Sequence, residues 1–433
     1  MNIWRDRRIS ISVSLFLIAV LTNAFAPNLT ATVRSHGTTT SYPAATCPAP
    51  SSGDTGRVYL ANSSLPVRAV AKSSTRTQPA RATSVAVSKP LFIEGTPMTT
   101  LFSGSGNGAG SVTSCTPGIV DEWFVGGSGA LGSQSTIQLI NSGLSESVVD
   151  LIAYASKGAL PVLSVHIPAN SEKDVAVDAM APGEAAVAIH AITRAGRTTT
   201  FLYDHRQKGL HSLGSDFVAP ALTPAKNLTI AGGISSSSTS QVLRIAVPGT
   251  VNANVAVNVL SKDGSFVPVG LDSLSINHES VIDIPLKNFQ ASTYFSLTLT
   301  SDQPILASLL TATSSEIGWS SANTPLEVGH PITLNMGGNK AGFIFTGAGV
   351  SVHISWRSTS GTSGNLTLRD DNFATWAPTV PLSLLQISTD NPSTYASAIL
   401  STSPGFAYLP LNSGSQLESA SVPLSDARTI SRG

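Results

Sequence analysis

The chain repeats itself. Residues 135–158, STIQLINSGLSESVVDLIAYASKG, return as residues 242–264, VLRIAVPGTVNANVAVNVLSKDG. The step from Gly143 to Gly249, 106 positions, also carries Gly158 onto Gly264. It places Val149, Leu151 and Ala153 on Val255, Val257 and Val259. Without a gap it takes Val175 to Val281, and Ile189, Ala191 and Thr193 to Phe295, Leu297 and Leu299. A unit of roughly 100 residues used at least twice has the size of a β-sandwich domain. Val149, Leu151 and Ala153 share one face, with Asp150 and Ile152 on the other. A period of two with one oily face fits stacked antiparallel sheets, and a helical period of 3.6 is absent.

Strands are expected at Thr136–Asn141, Val148–Ala155, Leu160–Ile167, Asp174–Asp178, Ala186–Thr193 and Thr199–Tyr203, each bounded by Gly, Pro, Ser or Asn. Residues 219–225, APALTPA, read as a linker to the second copy. The chain divides into a signal or anchor segment (1–26), a Ser/Thr/Pro-rich spacer (27–56) and an N-terminal β segment (57–121). Sandwich repeats follow at 122–220 and 227–325, then a degenerate third β module at 330–415 and a polar tail (416–433) expected to fray. The third module aligns only with gaps, so strands from 57–92 are candidates to complete it.

Charge narrows the class. Only 12% of the residues are Asp, Glu, Lys or Arg, about half the usual share. Ser and Thr hydroxyls would solvate the outer faces, as in a β-rich exported protein. Lys plus Arg and Asp plus Glu number 25 each, so no basic stripe favours nucleic acid. Arg5, Arg7 and Arg8 precede an apolar run from Ile9 to Phe25, the pattern of an export segment. The arginines place the amino terminus inside and the remainder outside the cell membrane. Ala24-Phe25-Ala26 resembles a cleavage site, but Pro27 would stand first in the mature chain. A retained single-pass anchor is therefore the expectation, with secretion after cleavage as the alternative. In an exported chain Cys47 and Cys115 read as one disulfide, worth roughly 4 kcal/mol in the chain-entropy account. Two buried free thiols are the alternative.

Site chemistry is sparse. Gly127 to Gly132 matches G-x-G-x-x-G, yet a strand follows it where a dinucleotide fold needs a helix, so it reads as a turn. His205 and His211, with Asp204 and Asp216, match no compact metal spacing and read as a solvated loop. His166, His190, His278, His330 and His353 are scattered, and Asp370-Asp371 reads as a turn pair. No G-x-S-x-G elbow occurs. No catalytic, cofactor or metal residue is assigned. Trp123 and Trp356 read as core plugs. Trp319 and Trp376 lie in polar stretches and are the candidate surface aromatics for a sugar or protein ligand. Sequons stand at Asn28, Asn62, Asn227 and Asn365.

Cys47-Pro48, Cys115, the Trp123-Phe124-Val125-Gly126-Gly127 turn and the paired repeats together resemble an actinobacterial exported family of unknown function, domain-of-unknown-function family 5719. The resemblance spans about Cys47 to Leu411 and carries over no catalytic residue. It implies an envelope protein, often near cell-wall glycan synthesis. The expected fold is all-β: tandem Ig-like antiparallel sandwiches behind one N-terminal transmembrane helix. The expected role is adhesion, scaffolding or binding of a cell-wall partner without catalysis. A glycan-binding accessory module is the alternative. The expected partners are the membrane, through the N-terminal helix, and a cell-wall glycan or envelope protein.

Overall fold

The computed structural model describes residues 36–38, 44–51, 54–60, 62–94, 100–106, 109–286, 293–401, 405–412 and 420–422. The anchor segment 1–26 and most of the spacer and tail lie outside them. Among the described residues no helix is long and apolar enough to cross a membrane. Residues 1–41 and 417–433 form one unit, in which His36–Thr38 pairs antiparallel with Ala420–Val422. The tail expected to fray thus carries a short strand, because its backbone groups find partners in the spacer.

Among the described residues the second unit, Tyr42–Gln416, is all-β apart from the one-turn helix Val177–Met180. It contains four sandwiches of one topology. Numbering strands within each, with the two short strands on the third taken together as the fourth and Tyr294–Ala312 counted as both sixth and seventh, the order is 1-6-3-4 in one sheet and 5-2-7-8 in the other. In the first copied repeat the outer sheet joins Asp121–Val125, Ala188–Ala195, Ser147–Ala155 and Gly158–Ala159, with Leu163–Ile167 also on Ser147–Ala155. The facing sheet joins Ser171–Ala176, Thr136–Asn141, Thr198–Lys208 and His211–Val218. Phe124, Ile137, Leu139, Val149, Leu151 and Ile189 fill the space between them.

The folded repeats keep the duplication. Ser147–Ala155 and Ala253–Ser261 have the same length and the same inward alternation. Leu151 pairs with Ala191, whereas Val257 pairs with Leu299, two residues beyond its counterpart. A slip of two preserves the faces, because side chains alternate with that period. The correspondence fails at the fifth strand. Val175 enters its own core, but Val281 leaves its core and packs against Trp123 and Val125 of the preceding module. In the second repeat Tyr294–Ala312 serves both sheets as one long strand.

Two expectations are corrected here. The N-terminal segment is a complete sandwich: Ala44–Cys47, Leu91–Glu94, Pro66–Ala69 and Gln78–Pro79 face Ser84–Val87, Thr55–Tyr59, Thr100–Gly106 and Ala109–Cys115. Its strands pair with one another, so residues 57–92 do not complete the third module. That module, Ile332 to Leu411, has both of its four-stranded sheets. The 106-residue step does not reach these two modules, because their loops differ in length while the pairing order is kept. Cys47 and Cys115 form a disulfide in the N-terminal module, tying its first strand to its last.

The four modules contact one another in a closed cycle. Ile140, Phe201, Tyr203 and Phe217 of the first repeat point away from their own core and join that of the N-terminal module. Both faces of that sheet are buried, hence the near-continuous apolar run Phe201-Leu202-Tyr203. The second repeat meets the third module through Ile234, Tyr294, Ile344, Phe373 and Tyr408. The third module returns to the N-terminal one, where the Asn335 amide donates to Leu60 O at 2.5 Å and Thr83 O at 3.3 Å. Asn335→Ala is expected to cost about 1–2 kcal/mol in urea denaturation, since two acceptors lose their donor. Amide exchange in the first repeat should stay unchanged.

Candidate functional site

The eighth strands of the four modules are Ala109–Cys115, His211–Val218, Ile317–Ser321 and Phe406–Leu411. Each packs against the next, and the last against the first. Two acids occupy this meeting point. Glu316 Oε1 accepts the N–H of Ser215 at 3.2 Å and of Ile317 at 3.1 Å, and Oε2 that of Gly110 at 3.2 Å. Asp216 Oδ1 accepts the N–H of Phe217 at 2.9 Å and of Val112 at 3.4 Å, and Oδ2 that of Trp319 at 2.9 Å. Each carboxyl therefore ties three modules' worth of backbone together: the N-terminal module, the first repeat and the second. Glycine makes the approach feasible. A Cβ on Gly214, whose φ is +114°, would lie 2.4 Å from Glu316 Cα, and one on Gly405 would lie 2.3 Å from its Cγ.

Beside them runs a second polar cluster between the two repeats. Asp204 Oδ1 accepts from Ser135 Oγ at 2.7 Å, and Oδ2 from Trp319 Nε1 at 2.8 Å and Arg206 Nε at 3.1 Å. Arg244 binds both oxygens of Asp283, at 2.7 and 2.9 Å. It also donates to Gly127 O, Val187 O and Ala185 O at 2.6, 3.2 and 3.0 Å. Its guanidinium stands 5.1 Å from the Trp319 ring.

Burial and pairing act oppositely on these acids. Burial pushes the Asp204 carboxyl up, but Arg206, Ser135, Trp319 and Arg244 outweigh it and hold it below its ordinary value. Burial pushes Glu316 up to about 7 against the pull of three backbone N–H donors. Asp216 is raised well above the ordinary aspartate by burial, with Glu316 adding to the rise. Glu122, inside the first repeat, is raised by burial to about 8. Asp204 and Asp216 are fully buried, so they cannot meet a substrate from solution. The arrangement is suited to fastening modules.

Several sequence expectations change. His205 and Asp204 do not lie in a solvated loop: Thr198–Lys208 and His211–Val218 are paired strands, and Asp204 points inward. His205 hydrogen-bonds Gln134 and Ser212 at 3.2 Å each. The G-x-G-x-x-G turn presents the Gly127 carbonyl to Arg244, and Gly129 packs on the carbonyl of Ala181. Asp370 Oδ1 caps the N–H groups of Asn372 and Phe373 at 3.1 Å each. Trp319, expected as a surface aromatic, is 0% exposed: its neighbours Ser320 and Ser321 are buried too, on alternate faces of a strand at the junction of modules. Trp376 is half-buried, stacked on Phe343 with centroids 5.3 Å apart. Trp123 is buried and stacks on His190 at 3.8 Å. Among the described residues no group of three or more His, Cys, Asp or Glu is placed to hold a metal ion.

Solvent reaches a different surface, the outer face of the third module's sheet Ile332–Asn335, Leu382–Thr389, Val350–Ser358 and Ser363–Asp370. A depression of about 330 Å³ there is lined by Ser355, Arg357, Ser363, Asn365, Leu384 and Gln386, with Trp356 and Gly364 between them. The Trp356 ring lies on the other face, against Gly364 and the core.

The sequence profile of DUF5719, a family of unknown function, matches residues 69–370. The chain belongs to this family. No curated protein matches it. Among solved structures, Thermotoga maritima 1070 is similar at 14% identity, over 24% of this chain and 96% of that one, with a TM-score of 0.21. The Anabaena sensory rhodopsin transducer is similar at 19% identity, over 20% of this chain and 95% of that one, with a TM-score of 0.16. Neither likeness bears on function in this DUF5719 protein.

Proposed function

We propose that this DUF5719 protein is a non-catalytic scaffold of the cell envelope. In this reading it is anchored by Ile9–Phe25 with its body outside, and its Ig-like modules offer a rigid surface to a cell-wall partner. The observation that carries the reading is the closed cycle of four sandwiches. The buried acids Asp204, Asp216 and Glu316 are engaged in holding modules together, and the outward faces are left to present hydroxyl and amide side chains. A disulfide between Cys47 and Cys115 suits an oxidising compartment. Crosslinking of the full chain in the cells that make it tests the idea. Covalent adducts to wall polymer or an envelope protein are expected; adducts to neither, with the chain recovered in the cytoplasm, would end it. A second reading, a glycan-binding accessory role, is favoured by the polar outer face of the third module. Its test moves away from Trp319, which has no surface to offer.

A further inference from the structure

We propose that the outer face of the third module is a binding site for an anionic polysaccharide, with Arg357 as the group that recognises its charge. The proposal deepens the envelope-binding reading and rests on it.

Register places the side chains. Arg357 is opposite Ser363 on one neighbouring strand and Leu384 on the other. Two residues along, Ser355 is opposite Asn365 and Gln386. Next comes His353, opposite Thr367 and Ser388. Neighbouring strands lie about 4.8 Å apart and same-face residues about 6.7 Å apart along a strand. The first two rows therefore make a grid of about 10 by 7 Å, the footprint of one or two sugar rings. With the third row the track extends a further ~7 Å along the strands. The depression of about 330 Å³ is centred on the first two rows.

The donor and acceptor set matches a sugar. Ser355, Ser363, Asn365 and Gln386 can each both give and take hydrogen bonds, as vicinal hydroxyls require. Leu384 offers a single apolar contact for a ring face. Arg357 is exposed, and among the described residues no carboxylate pairs with it. A guanidinium in that state takes a carboxylate or phosphate in a fork of two hydrogen bonds. The acid that reaches the third row is engaged: Asp390 accepts from His353 at 2.6 Å and from Ser351 at 3.4 Å. The face lacks the buried aromatic anchor that a protein partner would need.

Carboxylate and phosphate polymers share this chemistry, so the experiment separates them. The full chain is titrated with polygalacturonate, poly(glycerol phosphate) and neutral dextran. Binding to at least one anionic polymer and not to dextran is expected, weakened by salt. Arg357→Glu should reduce that affinity 10-fold or more, and Arg357→Lys by less. The thermal midpoint of both variants should match the parent, since Arg357 is exposed. Equal binding by Arg357→Glu, equal binding of dextran, or binding of none of the three overturns the site. If wall adducts still form in cells under those outcomes, the envelope reading survives and only this face is wrong.

Discussion

Arg244→Met is expected to lower stability by about 3–5 kcal/mol, read as a shift in the urea midpoint. The side chain is 1% exposed and makes five hydrogen bonds, three of them to backbone carbonyls of the neighbouring repeat. Methionine fills the stem of the space but satisfies none of Gly127 O, Val187 O and Ala185 O. Asp283 is partly exposed and recovers water, so most of the cost falls on the carbonyls. Lysine should not rescue, because one ammonium cannot fork onto Asp283 and reach Gly127 as well. Arg194→Met is the control. That arginine pairs with Asp150 at the surface, where loss is worth under about 1 kcal/mol. If Arg244→Met proves as stable as the parent, desolvation of the guanidinium cancels its contacts, and the two repeats are held by Trp319 and the apolar surface around it.

The strand pattern of the copied repeats was legible because each inward face is apolar at a period of two. Val149, Leu151 and Ala153 announce their sheet, and the 106-residue step repeats it. The N-terminal and third modules were hidden for a physical reason. Strand pairing uses backbone hydrogen bonds, to which every residue brings a carbonyl and every residue but proline an N–H, so unlike sequences can share one topology. The junction was harder still. Asp216 and Glu316 look like loop acids beside Gly214 and Gly318, and nothing local says that they face backbone N–H groups between 101 and 206 positions away. One signal was available: Asp204 follows Phe201-Leu202-Tyr203, an acid within an apolar strand of a chain that uses few charges. An acid so placed needs a buried partner. Trp319 is deceptive for the same local reason. Its serine neighbours suggest solvent, but small hydroxyl side chains also suit a tight seam between sheets.

Stability should fall as pH rises from about 5 to 8, opposite to the usual gain of a protein whose acids are all salt-bridged. Glu122 is almost fully buried and raised by burial from its ordinary 4.5 to about 8. Glu316 is raised by burial from 4.5 to about 7. In the unfolded chain both would ionise near 4.5. Below that pH both states are protonated and the full stability is present. Above it the unfolded chain releases protons that the folded chain retains, so stability drops by about 1.4 kcal/mol per pH unit for each group until its folded value is passed. For Glu122 alone the loss between pH 5 and pH 8 is about 4 kcal/mol. Asp204, held low by Arg206 and Arg244, works the other way, but its loss falls below about pH 4 and outside this window. Glu122→Gln isolates the effect. It keeps the shape and cannot ionise, so its stability relative to the parent should climb by about 4 kcal/mol across the same range in urea titrations. A difference that stays constant with pH would mean that Glu122 is already ionised in the folded state, and that water or a cation reaches it inside the first repeat.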